Sequence, residues 1–66
     1  MYEFIRDKTR EAGELMVRTE SGKEHELHRH NTTFHDDTRM VEVDADDKIH
    51  WLNGDNVERA WIHKEF

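Results

Sequence analysis

Apolar residues recur at two-residue spacing along most of the chain, and no apolar run exceeds three residues, as at Leu15-Met16-Val17. Alternation of this kind predicts strands with one buried face. Over residues 13–20, Leu15, Val17 and Thr19 take one face and Glu14, Met16 and Arg18 the other. Ser21-Gly22 reads as a tight turn. The alternation then resumes over residues 23–30, with His25, Leu27 and Arg29 opposite Glu24, Glu26, His28 and His30. These two runs are expected to form a hairpin. Residues 38–44 predict a further strand, with Met40 and Glu42 opposite Val41 and Val43. Asp44-Ala45-Asp46-Asp47 reads as an acidic turn, because Asp closes turns with its own backbone. Residues 48–53 follow as a strand that places Ile49 with Trp51 and His50 with Leu52. The pairing of Trp51 with Ile49 assigns that face to the core.

The remaining segments are less regular. In residues 1–12, Tyr2, Ile5, Thr9 and Ala12 line one helical face, whereas Tyr2, Phe4 and Arg6 alternate with Glu3, Ile5 and Asp7 as in a strand. Strand and helix both fit, and a short strand followed by a loop is the preferred reading. Residues 31–37 are polar around Phe34, which is expected to pin a loop to the core. Asp55-Asn56-Val57-Glu58 has capping-box spacing, with Asp55 as N-cap. One helical turn fits there, before a last strand over residues 61–66. With Ile62 and Phe66 inward, Trp61 and His63 face outward. The whole chain is thus read as one small domain, mainly β. Residues 13–66 form a five-stranded antiparallel barrel or curled sheet with one short helical turn before the last strand. That element order resembles small SH3-like and Sm-like barrels in architecture. The chain lacks an ALYDY-type motif and the Asn and Arg-Gly signatures of RNA-gripping Sm-like proteins, so the likeness implies a fold and carries no function.

Composition sharpens the picture. At 66 residues and 8.0 kDa, folding buries only about 60% of the surface that the unfolded chain exposes. Leu, Ile, Val and Phe number 13, close to the level at which chains fail to form a core. Domains this poor in apolar residues recruit disulfides, a metal or a partner subunit. Cysteine is absent, which leaves a metal or an oligomer. The net charge of −6 repels a phosphate backbone and argues against general nucleic-acid binding. It suits a basic protein partner, mimicry of nucleic acid, or a salt-rich host. Protonating all six His would bring the charge to about zero, so solubility should fall near pH 5–6. No apolar run is long enough for a transmembrane helix or a signal-peptide core. A soluble, cytoplasmic protein without membrane contact is expected.

Three groups of residues offer chemistry. His28 and His30 share a strand face, and His35 or Asp37 from the following segment would close a three-ligand zinc site with water as fourth ligand. The spacing of His25 and His28 is not that of HExxH, and solvated histidines on an outer face, or a pH-sensing cluster, account for the same residues. Trp51 and Trp61 are the second group. An outward Trp61 beside Arg59 has the composition of an interface hot spot, or of a stacking platform for a base. The third group, Asp36-Asp37 with Asp44, Asp46 and Asp47, lacks the EF-hand register and reads as solvated turns. No Gly-rich phosphate loop or thiol is present, and a chain this short has little room for a substrate pocket, so an enzyme is not expected. The preferred reading is a small acidic interaction module, a homodimer or other homo-oligomer, that binds protein through Trp61, Arg59, His63 and Arg29. It needs no cofactor. A zinc domain built on His28, His30 and His35 is the alternative. The third reading is a protein that binds nucleic acid through Arg29, Arg39, Arg59 and the tryptophans, or an inhibitor that mimics nucleic acid with its acidic face and blocks a basic protein.

Overall fold

The computed structural model describes residues 1–64. It is mainly β, with one helix packed against strands that form two three-stranded antiparallel sheets. Helix α1 (Tyr2–Ala12) is followed by β1 (Glu14–Thr19), β2 (Glu24–His28), β3 (Thr32–His35), β4 (Met40–Ala45) and β5 (Lys48–Asn53). A 3-10 turn (Gly54–Asn56) then leads into β6 (Val57–Trp61). The strand orders are β2-β1-β6 and β3-β4-β5. There are six strands in the described residues, not five, and they do not close into a barrel.

The N-terminal segment is a helix, not a strand. Tyr2, Ile5 and Thr9 are its buried residues, and their spacing places them on one helical face. Gly13 stops it in the left-handed conformation (φ 87°), donating its N–H to the Thr9 carbonyl at 2.9 Å. Glycine takes that conformation without steric cost. Met1, the N-cap residue, supplies no side-chain cap. The carboxylate of Asp55 does so from a distant part of the chain, accepting from the Tyr2 N–H at 3.3 Å. Asp55 is therefore not the N-cap of its own turn. Asn53 takes that place, its side chain accepting from the Asp55 N–H at 3.0 Å.

The predicted hairpin is present, in the register Leu15↔Leu27 and Val17↔His25. Residues 32–35, read from sequence as loop, form β3 and pair along β4. Asn31 links the two sheets. Its carbonyl accepts from the Asp44 N–H at 2.8 Å and its side chain accepts from the His28 N–H at 2.8 Å. The core consists of Tyr2, Ile5, Leu15, Val17, Leu27, Val41, Val43 and Val57, with Phe34, Leu52 and Ala60 packed against it. Phe34 meets the Tyr2 ring edge-on at 6.2 Å between centroids.

Register decides which face of β5 is inside. Directly opposed residues of an antiparallel pair share a face. Val41 and Val43 are buried, and they face Leu52 and His50. Trp51 and Ile49 oppose Glu42 and Asp44 and so point outward, 58% and 48% exposed. Their assignment to the core from sequence is overturned. At the other end, β6 begins at Val57 and stops at Trp61. Residues 62–64 carry no strand, and Ile62 is exposed. The expected inward Phe66 and the end of a strand at 66 lie outside the described residues.

Candidate functional site

The outer faces of the two sheets hold most of the residues singled out by sequence. On β2-β1-β6, Trp61 sits directly across from Met16, and Arg18 across from Arg59. Trp61 is half-buried, and the Arg59 guanidinium lies 5.1 Å above its ring, within cation–π range. Trp61, Met16, Glu24, His25 and Glu26 line a shallow hollow of about 230 Å³. His63 is exposed beyond the end of β6. Arg29 is elsewhere, lining a second hollow with Arg10, Thr32, Thr33 and Phe34. Trp61 and Arg59 are thus brought together, and Arg29 does not join them.

Sequence reasoning missed the outer face of β5. Ile49 and Trp51 lie on a strand that pairs with β4 alone among the described residues. One edge of β5 therefore offers unpaired backbone N–H and C=O groups beside two exposed apolar side chains. The alternation of residues 48–53 shows that Ile49 and Trp51 share a face. Only their register against Val41 and Val43 shows that the face is outside.

The histidines divide into separate groups. His28 and His30 stack, with ring centroids 5.3 Å apart. His35 lies on the other sheet, its Nε2 3.0 Å from the Glu42 carboxylate. The structure thus brings His28 and His30 together and holds His35 on a different partner. His25 of β2 and His50 of β5 meet edge-on, with centroids 5.2 Å apart, so an imidazole pair bridges the two sheets. Burial lowers the pKa of His25, and the neighbouring His50 and Lys23 charges lower it further. A groove of about 590 Å³ runs past this pair, its walls carrying His25, His28, His30, His50, Asp44 and Asp46.

Three of the six guanidinium groups are committed to carboxylates. Arg39 binds Glu3 and Asp55, Arg6 binds Asp7 and Asp36, and Arg18 reaches Glu24 and Glu58. Arg39, named from sequence as a phosphate contact, is therefore tied into a carboxylate network. Tyr2 donates its hydroxyl proton to Asp36 at 2.6 Å, and burial with that bond pushes its pKa up to about 12.

The chain matches no protein-family model, no curated protein and no solved structure. Among the described residues, no helix is long and apolar enough to cross a membrane.

Proposed function

We propose that this chain is a small acidic, non-enzymatic interaction module that self-associates through the outer face and open edge of β5. The observation that carries the reading is the exposure of Trp51 and Ile49, side by side on an edge strand. Edge strands present a row of unsatisfied backbone groups, and proteins usually blunt them with charge or proline. Here β5 carries one charge, Lys48 at its first position, and its outer face presents a tryptophan and an isoleucine. Tryptophan is the residue type most enriched at interface hot spots. A second copy fits the occupancy because the chain's own core is thin, with eight buried apolar residues among those described, and burying Trp51 and Ile49 would add an apolar layer on the opposite face of β5. Pairing by strand addition supplies main-chain hydrogen bonds, and the two apolar side chains supply area. Arg59 and Trp61 on the edge strand of the other sheet provide a second patch of the same kind. The net charge, and the carboxylates that hold Arg39, count against a nucleic-acid partner.

Sedimentation velocity tests the reading directly. The wild-type chain should sediment as a species larger than 8.0 kDa at micromolar concentration. Trp51→Lys should sediment as the single chain, with an unchanged far-ultraviolet spectrum. A wild type that stays a single chain at high concentration, or a Trp51→Lys variant that stays fully associated, would overturn it.

A further inference from the structure

Two carboxylates and one imidazole converge on the outer face of the β2-β1-β6 sheet. Glu14 and His28 are direct cross-strand partners, so their side chains leave the sheet together. Glu26 precedes His28 by two residues and shares its face. Glu26 Oε1 lies 3.0 Å from His28 Nε2, and Glu14 Oε2 lies 3.9 Å from His28 Nδ1. One potential donor atom from each residue lies within 4.8 Å of the other two, a grouping that includes neither His30 nor His35.

Convergence of three donors, and not charge alone, sets this cluster apart, since Glu20, Asp37, Asp44, Asp46 and Asp47 also meet no Arg or Lys among the described residues. Glu3, Asp7, Glu11, Glu24, Asp36, Asp55 and Glu58 each lie within ion-pair distance of an Arg, a Lys or the N-terminal amine. Among the described residues, Glu14 and Glu26 meet no such cation, and His28 is the basic group they face. A protonated imidazole compensates at most one of these two charges. A divalent cation compensates both and turns the neutral ring into a ligand. The mixed nitrogen and oxygen set suits zinc, cobalt or manganese better than magnesium or calcium, which prefer all-oxygen shells. Ligand atoms around zinc stand about 2.0–2.2 Å from the metal, so the three side chains must draw closer than they now stand. All three side chains are partly exposed, and the His28 ring stacks on His30.

We propose that Glu14, Glu26 and His28 form a site for one divalent transition-metal ion of the zinc class, with water completing its coordination. The site does not depend on self-association through β5. Its effect would be to pin β1 to β2 at the open end of the hairpin, opposite the Ser21-Gly22 turn.

The test is a zinc chloride titration of the metal-stripped full chain at neutral pH, by calorimetry with backbone amide shifts followed in parallel. Saturation at one zinc per chain is expected, with shifts centred on Glu14, Glu26 and His28. Glu14→Gln and Glu26→Gln should each weaken binding about tenfold or more, on the scale seen when metal-site residues are changed. His28→Asn should weaken it further, and His35→Asn and His50→Asn should bind as the wild type does. Amide dispersion in the variants checks that the fold is kept. Glu26→Gln, at the most exposed of the three positions, decides the matter if another variant unfolds. Heat that never saturates, shifts centred on His25 and His50, or a folded ligand variant that binds as tightly as the wild type would overturn the site.

Discussion

Asp55 grips Arg39 through two parallel hydrogen bonds, from Nε at 2.6 Å and from Nη2 at 2.8 Å. The same guanidinium donates from both terminal nitrogens to Glu3, on the first turn of α1, and lies 5.2 Å above the Tyr2 ring. Arg39 stands in the β3–β4 turn with a positive φ of 64°, a conformation that costs a non-glycine residue some strain. One side chain thus fastens the helix to the 3-10 turn, while Asp55 caps the helix. The clasp replaces local capping with contacts between residues far apart in the chain.

Acid should loosen this clasp. The Arg39 bond holds the Glu3 carboxyl down at about 2 and pulls Asp55 well below the usual carboxylate range. A group whose folded pKa is depressed contributes stability above its unfolded pKa, and loses that contribution as pH falls through the folded value. For Glu3 the window runs from about pH 4.5 down to about 2. Urea midpoints measured across this window should fall for the wild type and fall less for Arg39→Gln. The two proteins should converge at the acid end. His25, whose pKa burial lowers from 6.5, contributes its own loss at milder acidity and cancels in the comparison. The contacts are exposed, so 1 M salt should narrow the gap at neutral pH. Superimposable acid limbs would remove Arg39 as their source.

Gly54 is buried beneath that clasp. A Cβ placed there would stand 2.6 Å from Tyr2 Cδ1 and 2.9 Å from the Arg39 carbonyl oxygen. Neither neighbour is the loose end of a flexible chain, so Gly54→Ala must displace the helix or the turn. Overpacking of this kind costs about 1–3 kcal/mol. Equilibrium urea unfolding should show a loss of that size, with the largest amide shifts at Tyr2 and Arg39. A variant as stable as the wild type would mean that α1 sits less tightly on the 3-10 turn.

How far these relationships could be read beforehand follows from their range in sequence. The β1–β2 hairpin was legible because Leu15, Val17 and Leu27 alternate on both sides of Ser21-Gly22. The acidic turn was legible in part: Asp46 and Asp47 reverse the chain, whereas Asp44 and Ala45 belong to β4 and pair with Ile49 and Lys48. Helix α1 was not. Its apolar residues fit both periods, and its N-terminal cap is supplied by Asp55. Residues 32–35 looked like loop because their polarity hides a strand defined by pairing with β4. Hydrophobicity places Trp51 inside, whereas the register against Val41 and Val43 puts it outside. In the proposed metal site, Glu26 is visible two residues before His28. Glu14 joins them only through the strand register.

Trp61 tests whether the second exposed edge takes part in assembly. Trp61 lies directly across the strand pair from Met16, with the Arg59 guanidinium above its ring. Trp61→Ala should weaken self-association about tenfold, within the range of a moderate hot spot, and leave the chain folded. Sedimentation equilibrium measures the first effect and circular dichroism the second. If association is unchanged, β5 alone carries the interface. If folding collapses with association, Trp61 belongs to the packing of the sheet.

Leu27 joins stability to assembly. It is fully buried on β2, opposite Leu15 and within the core cluster. Removing a buried leucine side chain costs about 2–5 kcal/mol. A single core in a chain this short supplies only about 3–5 kcal/mol of net stability, so Leu27→Ala should leave the isolated chain largely unfolded at 25 °C. Association through β5 would stabilise the folded form by mass action, making its population depend on protein concentration. Circular dichroism over a hundredfold range of concentration should therefore show Leu27→Ala regaining β-structure as the chain is concentrated. The double variant Leu27→Ala/Trp51→Lys should stay unfolded throughout. Recovery by the double variant would detach folding from the β5 interface. A single variant unaffected by concentration would show that the assembly adds no stability to the fold.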